Sequence, residues 1–179
     1  MTVSPKEALQ RLIAGNRKYM KADTSEGDVS PEIREKTFNE GQHPYAIIVT
    51  CSDSRVIPES IFSAGIGELF VIRSAGFTID KVALGSIEYA AEHLGVSLVV
   101  VLGHTQCGAV GTALKHEHVE GNLKRIIDEI SRAIGNETDS LNAVKRNVTH
   151  SCCVIEDDGV DAAIVGAVYH TDSGKVEFF

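Results

Sequence analysis

Leu98-Val99-Val100-Val101-Leu102-Gly103-His104-Thr105-Gln106-Cys107-Gly108 decides how this chain folds. Its first five residues are apolar, mostly β-branched, and lack the alternation of a half-solvated strand, so they predict a strand buried on both faces. The apolar run stops at Gly103, and residues with chemistry follow at once. Upstream, Ala83, Leu84, Ile87, Ala90, Ala91 and Leu94 recur at near-helical spacing until Gly95 ends the pattern. Before that helix stand two more continuous β-prone runs, Tyr45-Ala46-Ile47-Ile48-Val49-Thr50 and Leu69-Phe70-Val71-Ile72. Strand, helix and strand with fully apolar strands imply a parallel sheet with right-handed crossovers.

Downstream, helices are expected over 120–134 and 138–149, then a strand over 162–169. Gly174 turns the chain into the alternating Val176-Glu177-Phe178-Phe179. At the front, Ser4-Pro5 with Glu7 reads as a helix start, and Ala8, Leu9, Leu12 and Ile13 form one stripe. Gly15-Asn16 weakens that stripe before Tyr19 and Met20 continue it. A polar loop over 23–30 leads to a second helix that begins at Ser30-Pro31 and ends at Gly41. The predicted fold is α/β, a mainly parallel central β-sheet flanked by helices, with an N-terminal helical arm. One domain is expected over 1–179, with the arm over 1–40 and the core over 41–179.

Composition narrows the function. The chain has 179 residues, 43% of them hydrophobic, and a formal net charge of −8. An acidic surface repels phosphate backbones, so nucleic acid is not an expected partner. No run approaches the ~20 apolar residues of a bilayer span, so no membrane partner is expected. Met1 to Gln10 lacks the basic-then-apolar pattern of an export signal, and a cytoplasmic location is expected. In that reducing setting Cys51, Cys107, Cys152 and Cys153 are thiols or metal ligands rather than disulfides. The adjacent pair Cys152 and Cys153 reads as bystander thiols, and His116 and His118 as a solvated helix end.

Two strand ends carry the chemistry. In open parallel sheets ligands bind beyond the carboxyl ends of the strands. One end reads Cys51-Ser52-Asp53-Ser54-Arg55, the other His104-Thr105-Gln106-Cys107. Cys51, His104 and Cys107 form a Cys₂His set that suits zinc in a tetrahedral shell. Structural zinc sites usually grow from two close pairs, whereas this set is split between distant strands. That split points to a catalytic site with one open position. Asp53 can reach the metal or a water on it, and Arg55 can hold that carboxylate in a bidentate pair. A dication beside water brings the water pKa toward ~7–9 and yields a hydroxide nucleophile for a small electrophilic carbon. A single buried cysteine or histidine is usually only a core residue, but these five together are not explained that way.

The stretches CSDSRV (Cys51 to Val56) and GHTQCGAV (Gly103 to Val110) resemble the β-class carbonic anhydrases. The similarity extends to Ala8 through Asn16, which is like the family's arm helix, to Ser86 through Val96, and to the closing strands from Ile164 to Tyr169 and Thr171 to Val176. The resemblance implies Zn2+ held by Cys51, His104 and Cys107, an Asp53–Arg55 dyad beside it, and Asp53 as a fourth ligand in a closed state. It implies reversible hydration of carbon dioxide to bicarbonate and a proton through zinc-bound hydroxide. Gln42 matches the substrate-contacting glutamine of the plant-like branch. Phe70, Ala75, Tyr89 and Gly108 complete the expected substrate lining, partly across a dimer interface. A homodimer or higher even-numbered oligomer is implied. The inhibitory bicarbonate pocket of one bacterial branch uses a tryptophan, and this chain has none, so that regulation is expected to be absent or altered and Arg73 is left without an evident partner for that role.

Three departures from the family are visible. Phe77 stands where asparagine is usual and is expected to reshape the cleft wall. The stretch over 147–161 is short where the family often adds a helix. Thr105-Gln106 occupies the turn between two ligands. Two alternative functions follow: a carbonyl sulfide or carbon disulfide hydrolase on the same fold, and a non-catalytic zinc-binding scaffold. The Asp53–Arg55 dyad weighs against the scaffold.

Overall fold

A computed structural model describes residues 3–24 and 27–179; Met1 and Thr2, from the stretch read for an export signal, and Ser25 and Glu26, from the expected polar loop, lie outside the described residues. The strands are β1 (Ala46–Cys51), β2 (Leu69–Ser74), β3 (Leu98–His104), β4 (Ala163–Tyr169) and β5 (Val176–Phe178). They form one sheet in the order β2-β1-β3-β4-β5. The pairs β1–β2, β1–β3 and β3–β4 are parallel, and β5 closes antiparallel on β4. Every residue of β1 and β3 is buried, as their uninterrupted apolar runs require.

Alternation along the strands sends side chains to two cores. Ile47, Val49, Cys51, Val99 and Val101 face one side, packed with Phe77, Ile130, Val144 and Val148. Ala46, Ile48, Val100 and Leu102 face the other, against Ala8, Leu12, Ile61 and Phe62. Helices α1 (Pro5–Tyr19) and α3 (Pro58–Ile61) cover this second face. Helices α4 (Lys81–Glu88), α5 (Gly108–Leu114), α6 (Gly121–Ile134) and α7 (Ser140–Asp158) build the first. The remaining helix, α2 (Pro31–Glu40), buries no residue, and its Phe38 is 88% exposed.

The expected start signals act as written: Ser4 Oγ accepts from Glu7 N at 3.3 Å, and Ser30 Oγ from Ile33 N at 3.2 Å. Gly15-Asn16, expected to weaken the first helix, instead fastens it. A Cβ on Gly15 would stand 1.8 Å from the Phe62 carbonyl oxygen, so only glycine permits this approach. Buried Asn16 donates to the carbonyls of Ile61 (3.2 Å) and Gly174 (2.8 Å) and accepts from Val176 N (2.9 Å). It ties α1 to α3 and to the β4–β5 turn.

Two expectations are corrected. The last helix does not end near Thr149 but runs to Asp158, where Gly159 caps it in the left-handed region. Residues 147–158 accordingly continue α7. Phe77 does not wall a cleft: it is fully buried in the core between the sheet and α7.

Candidate metal centre

The sheet brings Cys51, His104 and Cys107 together from three elements. Cys51 ends β1 and His104 ends the neighbouring β3, while Cys107 is the N-cap of α5. All three are buried, and their ligand atoms lie within 4.8 Å of one another. His104 Nδ1 is 2.9 Å from the Thr105 carbonyl oxygen. A carbonyl only accepts, so Nδ1 carries the proton and Nε2 presents its lone pair to the cysteines. Among the described residues, Nε2 is the one buried side-chain nitrogen or oxygen with no hydrogen-bond partner. A buried polar atom left unpaired is costly. Two sulfurs and an aimed imidazole nitrogen are the donor set that a borderline-soft divalent cation satisfies.

The Cys51 thiol is held well below its ordinary value, chiefly because Cys107 hydrogen-bonds its thiolate, and also by His104 and the Gly76 N–H. That same pairing, with burial, pushes Cys107 up. Gly76 N lies 3.4 Å from Cys51 Sγ.

Asp53 stands beside this cluster, its Oδ2 4.0 Å from His104 Nε2. Arg55 grips it in the expected bidentate manner: Nε donates to Oδ1 at 2.9 Å and Nη2 to Oδ2 at 2.7 Å. The Arg55 backbone N–H adds a 2.9 Å bond to Oδ1. These bonds hold the Asp53 carboxyl well below the usual carboxylate range. Arg55 Nη2 also donates to the Gln106 carbonyl at 3.1 Å, linking the dyad to the ligand turn. That turn is anchored further by Thr171, whose N–H donates to Thr105 Oγ1 at 3.0 Å.

Arg73, without an evident partner for the bicarbonate-pocket role, makes two backbone contacts here. Its Nε donates to the Cys51 carbonyl at 3.1 Å and its Nη2 to the Asp53 carbonyl at 2.8 Å. It clamps the backbone that carries both the thiolate and the dyad.

The expected substrate-lining residues are not gathered in one place. Ala75 follows β2 directly and Gly108 follows Cys107, so both adjoin the cluster. Gln42 precedes β1 and Phe70 lies near the start of β2, where Ile47 pairs with Phe70 and Cys51 with Ser74. Both therefore sit toward the opposite end of the strands from Cys51. Tyr89 packs against Phe70 with tilted rings, their centroids 6.2 Å apart, and stays 48% exposed. Cys152 is half-buried and Cys153 exposed, and His116 and His118 are exposed.

An open, mostly parallel α/β sheet with a Cys₂His cluster and a carboxylate–guanidinium pair beyond its strand ends defines a class of metal-centred α/β protein. The carbonic anhydrase family model matches residues 46–176. A carbonic anhydrase of Mycolicibacterium smegmatis is 33% identical, over 97% of this chain and 93% of that protein. Carbonic anhydrase 2 of Mycobacterium tuberculosis is 34% identical, over 96% and 91%. The solved structure of the β-carbonic anhydrase CcaA superposes with a TM-score of 0.71 at 27% identity, over 96% of this chain and 94% of that one. The β-carbonic anhydrase CafA of Aspergillus fumigatus shares the fold, with a TM-score of 0.73 at 24% identity over 83% and 82%. The chain belongs to the β-carbonic anhydrase family.

Proposed function

We propose that this protein catalyses the reversible hydration of carbon dioxide to bicarbonate and a proton, with zinc held by Cys51, His104 and Cys107. The observation that carries this reading is the unpartnered His104 Nε2, buried within 4.8 Å of both cysteine sulfurs and 4.0 Å from the Asp53 carboxylate. Zinc bound there supplies Lewis acidity that lowers the pKa of an adjacent water enough to give a nucleophile at neutral pH.

The chain's own residues do the rest. Asp53 stays ionised because Arg55 donates to both of its oxygens. It accepts a hydrogen bond from the attacking water and turns a lone pair toward the substrate carbon. Arg55 keeps both oxygens engaged, which holds Asp53 in place to orient that water. His104 takes no proton in this scheme, since Nδ1–H is committed to the Thr105 carbonyl. The product proton leaves to solvent past the exposed rim residues Ser52, Gln106 and Gly108.

Ala75 and Gly108 line the substrate side within one protomer. We assign Gln42, Phe70 and Tyr89 to the same cleft through a second copy of the chain, in a homodimer or higher even-numbered oligomer. The bare helix α2, the 88% exposure of Phe38 and the 48% exposure of Tyr89 support such a cover. No helix of the described residues is long and apolar enough to cross a membrane. The four unpaired cysteines and the charge of −8 favour a cytoplasmic protein that does not bind nucleic acid.

The test is stopped-flow carbon dioxide hydration with metal analysis of the same sample. One zinc per chain and a rate far above buffer are expected. Stoichiometric zinc with no rate above buffer would overturn the enzymatic reading and leave a scaffold.

A further inference from the structure

Five polar residues are buried in the described chain, and two of them, Asn147 and Ser151, lie one turn apart on the core-facing side of α7. They interrupt the apolar stripe of Val144, Val148 and Ile155. Buried polar side chains cost stability unless they satisfy other buried groups. Both are turned on one segment: Asn147 Nδ2 donates to the Gly76 carbonyl at 2.9 Å, and Ser151 Oγ to the Phe77 carbonyl at 3.3 Å.

That segment is unusual. Gly76 has φ 66° and Phe77 has φ 47°, the latter in a bulky, fully buried residue. A Cβ on Gly76 would stand 2.6 Å from Ile130 Cδ1 and 3.1 Å from the Ala109 Cβ. The turn is therefore pressed against α5 and α6, and its shape points the Gly76 N–H at Cys51 Sγ, 3.4 Å away. An N–H donated to a thiolate withdraws charge from the sulfur and fixes its direction, which tunes a metal ligand from outside its coordination shell.

We propose that Asn147 is a positioning residue of the metal centre: by holding the Gly76 carbonyl it sets the N–H···S hydrogen bond that orients the Cys51 thiolate. The proposal rests on the assignment of Cys51 as a zinc ligand. Ser151 is the built-in control. It satisfies a neighbouring carbonyl from the same helix, one residue further from the N–H that meets sulfur.

The experiment compares the zinc-loaded parent with Asn147→Leu, Asn147→Ala and Ser151→Ala. Zinc affinity is measured by chelator competition, the thiolate-to-metal charge-transfer band on cobalt-loaded protein, and the melting temperature on each. Asn147→Leu and Asn147→Ala are expected to weaken zinc binding by about 10–100-fold and to move the charge-transfer band. Ser151→Ala is expected to lower the melting temperature with affinity and band unchanged. Parental affinity and an unmoved band in the Asn147 variants would overturn the proposal, as would an equal effect from Ser151→Ala. A measurement on the unmutated protein stands beside these should the variants not fold: ¹¹³Cd-loaded protein is expected to show scalar coupling between the metal and the Gly76 amide proton, and its absence overturns the proposal. A parent that takes up no metal, or a Cys51→Ala variant that binds it normally, would overturn the zinc assignment itself and the proposal with it. Normal zinc in the parent with an inert Asn147 overturns only the positioning role.

Discussion

Arg55 holds Asp53 by two parallel hydrogen bonds, 2.9 Å from Nε and 2.7 Å from Nη2, while Asp53 Oδ2 stays 4.0 Å from His104 Nε2. The carboxylate is thus fixed beside the ligand cluster without joining it. Asp53→Asn keeps the shape and loses the charge. It is expected to retain zinc and lose about 10²–10⁴-fold in hydration rate, the usual worth of a positioned proton acceptor. Full activity in the zinc-loaded variant, read by stopped flow, would remove Asp53 from the mechanism.

Arg73 reaches two carbonyls at once, those of Cys51 and Asp53. Lysine is a point charge on a flexible stem and does not reproduce that fork. Arg73→Lys is expected to cost about 1 kcal/mol of stability and to lower kcat more than zinc occupancy, because the backbone beneath the dyad loosens. Urea unfolding, kcat and bound zinc together check this; a parental kcat would contradict it.

The α1 anchor is open to direct measurement. Asn16→Ala strips partners from the carbonyls of Ile61 and Gly174 and from the N–H of Val176. A loss on the order of 3 kcal/mol is expected from three such groups. Gly15→Ala places a methyl 1.8 Å from the Phe62 carbonyl oxygen and must shift α1 bodily. Both variants should unfold at lower urea, and a midpoint like the parent's in either would show that α1 is not fastened here.

Burial pushes the Cys152 thiol up to about 12, with Glu156 and Cys153 adding to it. At pH 8 its thiolate fraction is about 10⁻⁴, so it should resist alkylation in the native protein while exposed Cys153 reacts. The folded value lies above the unfolded value of about 8.5. The buried thiol's contribution to stability is therefore complete below pH ~8.5 and lost as pH climbs toward the folded value. Timed alkylation with peptide mapping tests the first claim. Alkaline unfolding of the parent beside Cys152→Ala tests the second.

Much of the fold was legible because its central strands are unbroken apolar runs. The ligand cluster was legible because cysteine and histidine directly after such strands have few other uses. The rest failed for identifiable reasons. Arg73 binds backbone carbonyls, which leave no trace in the sequence. Phe77 turns into the core because Gly76 and Phe77 adopt positive φ, and Ala-Gly-Phe does not announce that conformation. The expected end of the last helix near Thr149 fell short of Asp158, although Val144, Val148 and Ile155 keep helical spacing through Ser151. A polar pair one turn apart inside such a stripe was the available signal.

The strands that carry Cys51 and His104 are neighbours at the middle of the sheet, buried throughout, whereas Ser52, Gln106 and Gly108 around them are exposed. Opening β1 or β3 breaks the centre of the sheet, whereas residues 105–107 lie outside the strands and are held by a few hydrogen bonds from Arg55 and Thr171. Exchange of an ion held by Cys51, His104 and Cys107 is expected to be a local loop event whose rate is separate from global unfolding. Such an ion is expected to be removable by a chelator at urea concentrations well below the unfolding midpoint, without the molecule first coming apart.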